Sequence, residues 1–100
     1  MKFARNVSFQ IKTGKEKEFT NLFEKEVVPM LRKQSGFLEE VTLVNPKTAV
    51  GISLWDNRQS AEAYQAAMYP QVLAKLGGVI DGVPKVDTYE TASSYLRAAV

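Results

Sequence analysis

Six residues are candidates for contact with a bound small molecule: Arg5, Phe23, Trp55, Tyr64, Met68 and Tyr69. Aromatic rings and a thioether can pack against a flat ligand, and a tyrosine hydroxyl can donate a hydrogen bond. A guanidinium can answer a phenolate or carboxylate. Each also has a plainer reading. Phe23 and Met68 fall on apolar helical stripes and need no ligand to explain them. Trp55 ends a strand and can simply pack, and Tyr64 can be a core tyrosine with its hydroxyl at the rim. Tyr69 stands beside Pro70, where a break in a helix could form a pocket mouth or a cap. Arg5 is the unusual member, a charge in the apolar row of a strand; snorkelling at an edge is the alternative. No base is obvious. The pairs Glu39-Glu40 and Asp87-Glu90 read as solvated sheet edges, although Glu39 or Glu90 could serve as a base if burial raised its pKa.

The residues that are missing narrow the chemistry further. The chain has no cysteine and no histidine. A thiolate metal site and a disulfide are therefore ruled out, as are the commonest metal ligand and the one side chain that titrates unaided near neutrality. The expectation is a site without metal. The 13 basic and 11 acidic residues leave a formal charge of +2, and no basic run reaches five residues. Neither a nucleic-acid nor a membrane surface is indicated. With 45% hydrophobic residues among 100, one packed domain spanning 1–100 is expected. The first ten residues lack an apolar signal core, and no stretch approaches the roughly 18 apolar residues of a membrane span, so a cytoplasmic protein is expected.

The elements that must position these side chains are legible from periodicity. From Lys2 to Lys12, Phe3, Arg5, Val7, Phe9 and Ile11 share one parity, which predicts a strand with one apolar face. Thr13 to Glu16 has the form of a capping box, and Phe19, Leu22, Phe23, Val27, Met30 and Leu31 continue as a helical stripe. Pro29 should kink or break that helix near Lys25 to Val28. Ser35-Gly36 ends it. Phe37 to Val44 and Ala49 to Trp55 form a hairpin around Asn45-Pro46-Lys47-Thr48. A second helix starts at Asp56, with Gln59 as its reciprocal cap, and breaks or restarts at Tyr69-Pro70. Val79 to Val83 has no readable shape, Pro84 to Thr91 is the last strand, and Ala92 to Val100 is a tail or a short extra strand.

The order strand, helix, strand, strand, helix, strand is the ferredoxin-like βαββαβ pattern: an α+β two-layer sandwich with an antiparallel sheet and both helices on one face. The other face is expected to carry Ala4, Asn6, Ser8 and Gln10 from the first strand and Gly51, Ser53 and Trp55 from the third. It could lie in water or meet a second copy of the chain.

That order, the passage VVPML…SGF at Val27 to Phe37 and the stretch ISLWDNRQSAEAY at Ile52 to Tyr64 resemble the dimeric α/β-barrel superfamily, and within it the antibiotic-biosynthesis-monooxygenase group. The resemblance covers about Phe3 to Thr91. It implies a homodimer paired through the sheet face, with a pocket between sheet and helices in each subunit. The group's oxygenases act without cofactor on phenol-, quinol- or anthrone-like rings. A deprotonated electron-rich ring hands an electron to dioxygen, which calls for a base, oxyanion donors and a dry cavity. The haem-degrading branch uses a first-strand asparagine, a second-helix tryptophan and a histidine. Here there is no histidine, parity turns Asn6 away and puts Val7 in its place, and Tyr64 stands where the tryptophan would be. The expected function is a cofactor-independent monooxygenase acting on a small aromatic, with a non-catalytic ligand-binding or structural homodimer as the alternative.

Overall fold

The computed structural model describes residues 2–93. In chain order the elements are β1 (Phe3–Ile11), α1 (Glu16–Leu22), a π-helical turn (Phe23–Val27), α2 (Val28–Arg32), β2 (Phe37–Val44), β3 (Thr48–Trp55), α3 (Arg58–Ala67), α4 (Tyr69–Leu76) and β4 (Ile80–Glu90). The four strands form one antiparallel sheet in the order β2-β3-β1-β4. This is the ferredoxin-like α+β arrangement expected from the sequence. The short extra strand considered for the C-terminus lies mostly outside the described residues.

Proline explains the interruption between α1 and α2. Pro29 has no N–H to give to the preceding turn, and the chain widens into π geometry over Phe23–Val27 before α2 begins. This overlaps the kink expected from the sequence and turns both Phe23 and Val27 into the core. Tyr69-Pro70 likewise opens α4, with proline in the first turn where its missing donor costs nothing.

Both expected capping boxes are corrected. Gly14 takes the left-handed φ of +77° and sets Thr13 outside the helical frame, so α1 starts at Glu16 behind Lys15 with no side-chain cap. At α3 the cap is Asn57, one residue later than expected; its Oδ1 accepts from the Ser60 amide at 2.9 Å. Asp56 is held by the start of β2, donating its amide to the Gly36 carbonyl at 2.8 Å. Gly36 cannot be replaced without rearrangement there. Its φ is +81°, and an added Cβ would lie 2.3 Å from both Asp56 Oδ1 and Ser60 Oγ. The last strand also begins earlier than expected, at Ile80. It tolerates Pro84 because β4 is an edge strand pairing only with β1, so a missing donor can face away from the ladder.

The register settles which residues share a face. β1 and β3 pair Phe3 with Trp55, Arg5 with Ser53, Val7 with Gly51 and Phe9 with Ala49, and residues directly opposite in an antiparallel pair point the same way. All eight are buried. Gly51, Ser53 and Trp55 therefore lie under the helices, which overturns their expected place on the open face. The third strand is apolar on both parities, so alternation alone could not orient it; pairing with the clear row of β1 does. The open face carries Val50, Ile52 and Leu54 instead, beside Ala4, Asn6 and Ser8.

Candidate functional site

Arg5 is the centre of the helix-covered face. It is 3% exposed, and its guanidinium lies 5.0 Å from the centroid of Tyr64 and 4.7 Å from that of Tyr69. Such cation–π placement favours a desolvated charge by about 2 kcal/mol or more. Nη2 also donates a hydrogen bond to Gln65 Oε1 on α3. Gln65 was not among the expected site residues: it is separated from Arg5 by most of the chain and is an exposed residue of α3 that reaches Arg5 only through its side chain. Burial lowers the Arg5 pKa, while the neighbouring Tyr64, Tyr69 and Glu40 pull it back up. Burial correspondingly pushes the Tyr64 hydroxyl up to about 12 and raises that of Tyr69, against the opposing pull of Arg5. The tyrosines are therefore hydrogen-bond donors at neutral pH.

An aromatic row approaches this cation from one side. Phe37 packs on Trp55 at 5.6 Å, Trp55 on Tyr64 at 5.1 Å and Tyr64 on Tyr69 at 6.3 Å between ring centroids. Trp55 is wholly buried, and its Nε1 donates to Ser53 Oγ at 2.9 Å, satisfying the two buried polar groups with each other. A second cluster, Phe9, Phe19 and Phe23, closes the other side with centroids 5.4 to 6.4 Å apart. Between them is an interior cavity of about 20 Å³ whose lining includes Arg5, Phe23, Glu40, Tyr64 and Tyr69. That is room for about one water. The Tyr69 hydroxyl is buried without a hydrogen-bond partner among the described residues.

A larger cleft of about 400 Å³ lies outside this interior, between β2 and the α1–α2 segment. Its volume is in the range of small-molecule sites. Phe23 and Glu40 line both spaces. Glu40 reaches this position because the β2–β3 register shifts between Phe37 and Glu39, leaving Leu38 unpaired and setting Glu40 opposite Ser53 on the helix side. Thr42 Oγ1 donates to Glu40 Oε2 at 3.0 Å. Gly51 supplies the space, since a Cβ there would stand 3.2 Å from Oε2. Burial raises the Glu40 pKa to about 7, with Thr42 and Arg5 holding it down from a higher value. Thus Glu40 is not the solvated edge carboxylate that the sequence suggested. The broken alternation of β2 was the available signal for it.

The structure brings Arg5, Phe23, Tyr64 and Tyr69 together around the interior cavity. Trp55 stands behind Tyr64 and lines neither space. Met68 lies at the α3–α4 junction, half-buried against the core, and also lines neither space. Of the two carboxylates considered as a base, Glu39 is exposed and pairs with Leu54 on the open-face side of the sheet, and Glu90 is an exposed partner of Arg58 at 3.4 Å. Among the described residues, no cluster of three histidine, cysteine or acidic side chains is arranged to hold a metal ion. No helix among them is long and apolar enough to cross a membrane.

A ferredoxin-like sheet with a guanidinium and tyrosines beneath its helices defines a small α+β domain with a candidate ligand site. Residues 3–74 match the antibiotic biosynthesis monooxygenase family, and the chain belongs to that family. No curated protein matches the sequence. Among solved structures, the fold is similar to a protein of unknown function from Nitrosomonas europaea, with a TM-score of 0.81 at 18% identity over 98% of this chain and 96% of that one. It is also similar to a monooxygenase of Streptomyces coelicolor in complex with nanaomycin D, with a TM-score of 0.78 at 17% identity over 96% and 92% of the two chains. A third similar structure is SnoaB, a cofactor-independent oxygenase of Streptomyces nogalater, with a TM-score of 0.78 at 13% identity over 93% and 95%.

Proposed function

We propose that this protein is a cofactor-independent monooxygenase acting on a small phenol-, quinol- or anthrone-like substrate. The observation that carries the reading is the buried Arg5 guanidinium lying across Tyr64 and Tyr69, next to a cleft of about 400 Å³. A cation and tyrosine donors held in a dry site favour an aromatic oxyanion over its neutral form. An electron-rich phenolate is the species that can reduce dioxygen unaided. Family membership and the cofactor-independent oxygenase among the similar structures support the same reading. Phe23 would form the wall facing the ligand, while Trp55 and Met68 would act from behind the lining residues.

The functional unit in this reading is a homodimer paired through the open sheet face. Val41 and Leu43 on β2 are 41% and 55% exposed, opposite the half-buried Ile52 and Val50 of β3. A second copy of the same face would cover them.

Oxygen consumption by the purified, metal-free protein across quinols, anthrones and catechols, with autoxidation subtracted, tests the activity. Uptake that saturates with one substrate class is the expected result. The small interior cavity, with room for about one water, gives a specific reason to keep the alternative of a non-catalytic binding dimer. Saturable binding with no oxygen uptake across the panel would select that alternative.

A further inference from the structure

We propose that Glu40 is the proton acceptor for a phenolic ligand seated in the cleft beneath β2. This deepens the reading above by supplying the base that the sequence did not reveal. Three carboxylates border the cleft, Glu24, Glu39 and Glu40, but only Glu40 also borders the interior cavity that contains Arg5, Tyr64 and Tyr69. The β2 register shift turns it there, Gly51 leaves space for it, and Thr42 fixes one of its oxygens at 3.0 Å. Among the described residues it makes no ion pair. Arg5, the nearby cation, has its Nη2 donor engaged by Gln65. Thr42 bonds Oε2, and Glu40 Oε1 has no hydrogen-bond donor among the described residues, so Oε1 is left to receive a proton.

In the transfer, the ligand O–H bond breaks, its electron pair stays on the phenolic oxygen, and the proton forms a new O–H bond on Glu40. One negative charge moves from the carboxylate to the ring oxygen, on the side of Arg5 and the tyrosine hydroxyls. The surroundings of Glu40 act in both directions. Burial favours its protonated form, whereas the Thr42 hydroxyl and Arg5 from β1 favour the ionised one; Arg32 from α2 and Glu24 from the π turn also line the cleft. Tyr64 and Tyr69 stay neutral while Glu40 titrates. Its raised pKa, about 7, suits a base at neutral pH.

Infrared difference spectra of the full chain, taken anaerobically at about pH 8 with hydroquinone added, test where the proton goes. Quenching of Trp55, the single tryptophan, reports binding independently. The expected result is loss of a carboxylate band and gain of a protonated carboxyl band in the wild type. Glu40→Gln should still bind hydroquinone but give no such bands, and Glu40→Asp should restore them in part. In air, Glu40→Gln should lower turnover about 100-fold or more and flatten its pH profile near neutrality. Binding without a new carboxyl band in the wild type, or the same band in Glu40→Gln, overturns the assignment. Absence of hydroquinone binding by the wild type overturns both this inference and the reading on which it rests. Binding with the carboxyl band but no oxygen uptake leaves Glu40 as the acceptor and removes the oxygenase.

Discussion

The two faces of the sheet are built from the same strands but to opposite ends. Under the helices, Phe3, Val7, Phe9, Ala49 and Trp55 surround one deliberate exception, Arg5, which is compensated by two aromatic faces and Gln65. On the open face, Val50, Ile52 and Leu54 run down the middle of the sheet beside Ala4, Asn6 and Ser8, with no helix over them. A charge is buried on one face and aliphatic side chains are uncovered on the other. Hydrophobicity therefore cannot tell which face is the core. What distinguishes the faces is packing and hydrogen-bond satisfaction, and substitutions should separate them.

The largest effect belongs to the covered face. Trp55→Ala removes a wholly buried indole, its contacts with Phe37 and Tyr64 and the partner of Ser53 Oγ. We expect a loss of about 3–5 kcal/mol in chemical denaturation. A loss under about 1 kcal/mol would mean that the covered face is not close-packed around this residue.

The next effect is smaller and has a sign that depends on pH. Glu40 has a folded-state pKa of about 7, above its ordinary value of 4.5. The folded protein therefore holds this proton when the unfolded chain has already released it, and the group's contribution to stability falls as pH rises from about 4.5 to about 7. Above that window the folded state must keep a buried carboxylate. Glu40→Gln should be more stable than the wild type by on the order of 2–3 kcal/mol at about pH 8, with the difference shrinking toward zero below about pH 4.5. Denaturant titrations at several pH values check this, and a difference independent of pH would contradict the assigned burial.

Arg5 divides stability from function. Gln65→Ala takes away a hydrogen-bond acceptor and should cost about 1–3 kcal/mol, because a buried guanidinium loses a partner. Arg5→Met removes the charge and refills much of the space, so it should cost less than Gln65→Ala or even stabilise. In the same variant, affinity for a phenolate-forming ligand should fall by about tenfold or more. Thermal or chemical denaturation beside a ligand titration would show the two readouts moving apart. Parallel losses in both would reduce Arg5 to a packing residue.

How far these features could be read in advance depended on the strand. β1 alternates without exception, so parity placed Arg5 in the apolar row while leaving snorkelling at an edge open, and Pro29 and Pro70 marked the helix interruptions through the chemistry of their rings. β3 gave no such guidance, since Ala49, Gly51, Ser53 and Trp55 are no more apolar than Val50, Ile52 and Leu54. Its orientation comes from pairing with β1, a contact between distant parts of the chain. Glu40 was hidden for a related reason. Adjacent Glu39 and Glu40 look alike in sequence, and the register shift at Leu38 decides which of them turns inward. Gln65 became a site residue through a tertiary contact that no local pattern announces.

The smallest effect on the fold should come from the open face, and it provides the strictest test of the contrast. Leu43 projects from edge strand β2 at 55% exposure, across from Val50. Water already reaches much of its side chain, so Leu43→Thr removes little buried area and puts a β-branched residue where a strand prefers one. Within one subunit the change should stay within about 0.5 kcal/mol. If a second copy covers this face, the same substitution removes apolar area from both halves of a two-fold interface, because each subunit contributes the residue. Its consequence then appears in association rather than in folding. Sedimentation over a range of concentrations should show the variant dissociating at higher concentration than the wild type, while the dissociated subunits unfold alike. A wild type that sediments as a monomer throughout would instead leave the open face to water and separate the candidate site from any need for a partner.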